Sequence, residues 1–250
     1  MIKVSFNIMY YHKNTEREKY LQEQMDMYGI QPNWIRKYDK EMLSDSHYDK
    51  MDKNPEIITK TIEKFIPEFI IKEFIEQGMN DAEVSLNTKH VESMRTFLRD
   101  FTEKDYYVAL EDDAILCKNF RNKFIGCMQA MPNDFNLFHF DWGNMTPKID
   151  PEELEYYQDY DGKIHIHENQ LPAKFMLGSA GFCMSYNWCQ RVVEYYDDNG
   201  FSVPSDWQLS SIFFDDDNSK CFVPIPRLIK QGSFGVYGSS VRDRDSGVFK

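Results

Sequence analysis

The chain has 250 residues, 41 acidic against 29 basic, for a formal net charge of −12. That balance argues against nucleic acid as a partner, since a phosphate-tracking surface needs a basic patch that overrides the background. A phosphate-bearing ligand would instead need a cation or a few placed basic groups.

The composition, 42% hydrophobic and 28% charged, is that of an ordered protein, read as a single domain over residues 1–250. No apolar run reaches the roughly 18 residues of a transmembrane span. Met1-Ile2-Lys3-Val4-Ser5-Phe6 lacks the features of a signal peptide, so a cytoplasmic chain is expected. Five scattered cysteines without a CxxC pair read as reduced thiols rather than a zinc cage or disulfide framework.

In chain order, Ile2 to Met9 reads as a strand. Thr15 caps a helix from Glu16 to Tyr28 that Gly29 stops, and Asn33 to Tyr38 reads as a second strand. This β-α-β opening predicts an α/β sheet flanked by helices. A polar stretch leads into apolar residues at helical spacing (Ile58, Ile62, Phe65, Phe69, Phe74), a helical insertion over about 54–78. A helix from Thr88 to Arg99 precedes the apolar strand Tyr106 to Leu110, which ends in Glu111-Asp112-Asp113. There follow a helix Phe120 to Met131, a strand Leu137 to Phe140, a polar excursion Thr146 to Asn169, a strand Ala180 to Ser185 and a helix Tyr186 to Asn199. A helical stretch Asp206 to Phe214 and a strand Lys220 to Val223 close the regular elements. The tail, about 224–250, is read as a loop that wraps the body.

Three acids at the carboxyl end of a buried strand repel one another and lose hydration, so a positive partner is expected. Ligands of open α/β sheets bind at these strand ends, and a hard divalent cation on one or two carboxylates plus substrate phosphates meets the demand. The alternative is a solvated acidic turn.

Tyr107-Val108-Ala109-Leu110-Glu111-Asp112-Asp113-Ala114 resembles the strand and acidic DxD-type signature of the family-25 glycosyltransferases, which include lipopolysaccharide-biosynthesis and collagen galactosyltransferases. His90 matches the family's Ser-His helix start, with Lys89 in place of the serine. Asn7, Arg17, Gly178-Ser179-Ala180-Gly181-Phe182, Ser205-Asp206-Trp207, Pro226, Gln231 and Ser239-Ser240-Val241 fall in the family's order.

The resemblance implies a GT-A fold and an inverting transfer of a sugar from a nucleotide-sugar donor, UDP-linked, to a hydroxyl of a glycan or glycoconjugate. It also implies Mn²⁺ or Mg²⁺ on the acidic motif. Asp113 is the expected direct ligand; Glu111 is read as a metal or nucleoside contact, and Asp112 as a ribose contact or a support for the ligands. A metal-dependent phosphohydrolase and a non-catalytic sugar-binding module are the alternatives from other classes.

Other candidates each carry two readings. Tyr10 and Tyr11 follow the first strand, where a base could stack on a ring or the rings lie under the next helix. Arg17 pairs with phosphate or holds its loop. Thr88 and Lys89, at an expected helix N-terminus, face an anion. His90 contacts the donor or packs the helix on the sheet. Asp206 is a helix cap or the base that deprotonates the acceptor, with Asp141 in Phe140-Asp141-Trp142-Gly143 as the rival base. His165 and His167 read as a surface hairpin rather than a metal site, and Arg227, Lys230, Arg242 and Arg244 as cations of a tail that closes over the diphosphate or is merely flexible.

Overall fold

The computed structural model describes residues 2–49, 78–141, 156–160, 164–168, 180–214, 219–225 and 227–232. The elements that build the sheet are strands β1 (Val4–Met9), β2 (Asn33–Ile35), β3 (Tyr106–Glu111), β5 (Leu137–His139), β6 (Tyr156–Tyr160), β7 (Ile164–Glu168), β8 (Gly181–Ser185) and β9 (Cys221–Ile225). They form one mixed sheet in the order β2-β1-β3-β8-β5-β9-β7-β6. The pairs β1–β2, β1–β3 and β5–β9 are parallel, whereas β8 runs against both β3 and β5. A second, two-stranded sheet pairs β4 (Ala114–Leu116) with β10 (Ile229–Gln231).

Side chains alternate across a strand, so each strand feeds two cores. Ile8, Val108, Leu110, Phe138, Phe140 and Phe222 point to one face, covered by α1 (Thr15–Met27) and α4 (Phe120–Ala130) through Leu21, Met25, Phe120 and Phe124. Met9, Tyr107, Ala109, Phe182 and Met184 point to the other. There α3 (Asp81–Asp100), α5 (Tyr186–Asn199) and α6 (Ser205–Phe214) cover them with Met94, Phe97, Trp188, Val192 and Leu209. The architecture is α/β, a sheet with helices on both faces. Full burial of each such large apolar side chain contributes about 1.5–3 kcal/mol relative to exposure.

Helix α1 stops where expected: Gly29 takes φ 60°, and the N–H groups of Gly29 and Ile30 reach the carbonyls of Asp26 and Met25. Its first residue is Thr15, with Asn14 rather than Thr15 in the N-cap position. Helix α3 corrects the expected start at Thr88. Asn80 Oδ1 accepts from Ala82 N and Glu83 N at 2.9 and 3.1 Å, and Glu83 Oε2 accepts from Asn80 N at 2.9 Å. This capping box starts the helix about two turns earlier. Thr88 and Lys89 therefore lie mid-helix and buried, away from any exposed N-terminus.

Strand β2 ends at Ile35 rather than Tyr38, which takes φ 67° and turns the chain into a short helix α2 (Asp45–Tyr48) by way of a 3₁₀ turn at Lys40–Met42. The tail is not all loop. Leu228 N donates to Phe140 O and Leu228 O accepts from Cys117 N, which draws β10 onto β4. The run around His165 and His167 forms a hairpin with β6, and it joins the main sheet through β9. The expected insertion, apart from Gly78, and the segments holding Trp142, Gly178, Pro226, Ser239, Arg242 and Arg244 lie outside the described residues.

Candidate functional site

From β1 the chain moves to one edge through α1 and returns on the other side, as β3, through α3. The carboxyl ends of β1 and β3 thus flank a topological switch point, where open α/β sheets hold ligands. Parity then sorts the acids. Asp112 shares the α1 face with Val108 and Leu110; Glu111 follows Tyr107 and Ala109 toward α3.

Asp112 is committed to the loop after β1. Oδ1 accepts from Arg17 NH1 at 2.9 Å; Oδ2 accepts from Asn14 Nδ2 at 2.9 Å and Tyr11 N at 3.1 Å. Arg17 and Asp112 are both buried, so this is a charge-assisted bond in a low-dielectric setting. Of the two readings of Arg17, the structure shows it holding its loop.

A second buried anchor lies one strand over. Asp39, fully buried, accepts from Lys89 Nζ and from the backbone N–H of His12 at 3.2 Å. Its Oδ2 also lies 2.5 Å from His12 Nδ1. Lys89 Nζ donates in addition to Tyr10 O at 2.5 Å. Burial pulls the Lys89 ammonium below its ordinary value, and Asp39 opposes that.

Tyr10 is buried edge-on against Trp34, with ring centroids 5.4 Å apart. Tyr11 is half-buried; its hydroxyl donates to Glu41 Oε1 at 2.7 Å, and Lys13 Nζ reaches the same oxygen. The Lys13 and Tyr11 hydrogen bonds hold the Glu41 carboxyl down at about 2. Lys13 and Lys40 place their ammonium groups 5.8 and 5.6 Å from the Tyr11 ring.

On the other side, the segment around β10 straps the acids. Asp141, buried, accepts from Arg227 NH1 on Oδ1 at 2.9 Å and from Gln231 N on Oδ2 at 3.1 Å. The Gln231 side chain reaches Glu111 Oε2 at 3.5 Å, and Gly232 N donates to Asp113 O at 2.9 Å. Asp113 is itself buried. The switch point thus draws together Tyr10, Tyr11, Arg17, Glu111, Asp112, Asp113 and Asp141.

No protein-family model matches the chain, and no curated protein matches it.

Four sequence candidates sit apart from this network. Asn7 is buried inside the sheet, with Nδ2 donating to Ser5 O and Val108 O at 3.0 and 3.2 Å. Thr88 returns its hydroxyl to Val84 O. Asp206 lies in the first turn of α6, its Oδ1 accepting from Trp207 N at 3.0 Å, on the same side of the sheet as Glu111. His90 stacks on Phe182 at 5.6 Å, and neither ring nitrogen has a partner among the described residues. Burial lowers the imidazole to about 3, so it is neutral at ordinary pH.

Sequence reasoning missed Asp39, His12, Asn14 and the bridging role of Gln231. The signal for Asp39 was its place just beyond the carboxyl end of the second strand. Among the described residues no three His, Cys, Asp or Glu side chains gather as a metal cage, and no helix is long and apolar enough to cross a membrane.

Proposed function

We propose that the chain is a metal-dependent, inverting glycosyltransferase of GT-A type that moves a sugar from a UDP-linked donor to a hydroxyl of a glycan or glycoconjugate. The observation that carries this reading is the division of labour within Glu111-Asp112-Asp113. The middle acid is spent on Arg17, Asn14 and Tyr11, which fixes the loop after β1, while its neighbours flank it at the switch point.

The donor set suits the cation. Carboxylate oxygens are hard ligands, and Mn²⁺ or Mg²⁺ is ordinarily held by one or two of them plus phosphate oxygens and waters, so a full protein cage is not required. Asp113 and Glu111 are the proposed ligands. When bound, the ion supplies charge stabilisation for the leaving diphosphate.

The chain's own residues do the rest. Tyr11 and the Asp112-anchored loop shape the nucleoside side. Asp206, on the α3 side of the sheet, is the proposed base that accepts the acceptor hydroxyl proton. Asp141 is the rival, but both of its oxygens already take hydrogen bonds from Arg227 and Gln231, which favours a positioning role.

Titration calorimetry with UDP and Mn²⁺ tests the reading. Asp113→Asn is expected to keep the fold and weaken binding at least tenfold. Undiminished UDP affinity in that variant would reject the metal assignment.

A further inference from the structure

We propose that His12 is a specificity-determining residue that reads a ring N–H of the donor's nucleobase, a proposal that rests on the nucleotide-sugar reading above. The tautomer follows from the partners of Asp39. Lys89 Nζ and His12 N both donate to this fully buried carboxylate, so it acts as an acceptor throughout. The contact at 2.5 Å is therefore a bond from His12 Nδ1–H to Asp39 Oδ2.

In the neutral imidazole this bond leaves the lone pair on Nε2. The imidazole is 42% exposed, and Nε2 has no partner among the described residues. An oriented acceptor at a strand end recognises a donor group; it does not recognise phosphate oxygens, which are acceptors themselves.

Two observations direct this acceptor to the base. The imidazole is tied to Asp39, beyond the end of β2, whereas the acidic run ends β3 on the far side of β1. The imidazole is thus held on the β2 side of the acidic run, the side left for a base when the diphosphate faces Asp113. The His12 ring also stands 5.2 Å from the Tyr11 ring at 70°. A flat base stacked on Tyr11 would turn its edge toward the imidazole.

Uracil and guanine carry a ring N–H on that edge; cytosine and adenine present a lone pair instead. Facing two acceptors together leaves a polar atom unpaired, which discriminates more strongly than a lost contact.

The experiment is calorimetry with UDP, CDP, GDP and ADP in the presence of Mn²⁺, on the wild type, His12→Phe and His12→Gln, with thermal unfolding as the check on folding. Within each size class the base with a ring N–H is expected to bind about tenfold tighter. His12→Phe removes that preference, and His12→Gln, which keeps an acceptor, retains part of it. If His12→Phe does not fold, His12→Ala replaces it. A UDP-over-CDP preference that survives loss of the imidazole, or none in the wild type, overturns the role of His12 and leaves the glycosyltransferase reading standing. If 2′-deoxy-UDP binds more weakly than UDP only when His12 is present, the imidazole reads the ribose and the proposal is wrong. Binding of no nucleoside diphosphate by the wild type rejects the nucleotide-sugar reading, and this proposal with it.

Discussion

Arg17 NH1 donates to Asp112 Oδ1 at 2.9 Å, and the two side chains are only 9% and 7% exposed. A carboxylate placed among three consecutive acids is thereby neutralised from within the protein. Removing one partner of such a pair strands a buried charge, so Arg17→Met is expected to cost about 3–5 kcal/mol in urea unfolding. The double change Arg17→Met with Asp112→Leu is expected to cost less than the sum of the single changes. Additive losses would show that the two side chains act independently.

His90 links stability to pH. Its imidazole, buried on Phe182, is lowered to about 3, against about 6.5 in an unfolded chain. Below pH 6.5 the unfolded state therefore binds a proton that the folded state refuses. Stability rises with pH between the two values at about 1.4 kcal/mol per unit and is flat above. Going from pH 6.5 to 5, the wild type is expected to lose about 2 kcal/mol more than His90→Leu, measured by urea unfolding. Parallel pH profiles for the two proteins would assign the dependence to other groups.

Gly181 is a packing test of the strap. A Cβ there would come within 2.5 Å of Ile229 Cδ1 and 2.7 Å of Leu110 Cδ2, both ends of flexible side chains. Gly181→Ala is expected to destabilise by about 1–3 kcal/mol through overpacking. Because Ile229 belongs to β10, nucleotide affinity is expected to fall as well. Ile229→Val in the same chain should recover part of both losses, and failure to do so would place the strain elsewhere.

The two candidate bases separate by readout. Asp206→Asn is expected to lower turnover by about 10²- to 10⁴-fold with donor affinity nearly unchanged. Asp141→Asn weakens the bond from Arg227 at the strap and is expected to lower the unfolding midpoint and donor affinity together. Proton NMR of the product should show a β-linkage from an α-linked donor; an α-linked product would reject single displacement.

What the sequence made legible were features written within a few neighbouring residues. Tyr106–Glu111 stands out as apolar residues closed by acids, and Tyr186–Asn199 as a helix bounded by Gly200, which takes φ 73°. The start of α3 was legible in principle, since Asn80 and Glu83 spell a capping box, but the polar run through Asn87 masked it. The pairings of Asp39 with Lys89 and of Arg17 with Asp112 join residues 50 and 95 positions apart, which no local period reports. Three-residue strands such as Ala114–Leu116 and Ile229–Gln231 exist only because each finds the other.

The strap that joins Gln231 to Glu111 spans 120 positions, and that separation sets when the acidic turn can mature. Closing so long a loop carries an entropic cost that local contacts do not share, so the β4–β10 pairing belongs to the last steps of folding. On the ribosome, Glu111 to Asp113 emerge long before the segment that braces them. A nascent chain thus carries three consecutive acids on an unbraced turn until the β10 segment is made. The acidic turn takes its braced form only once Gln231 and Gly232 have left the ribosome.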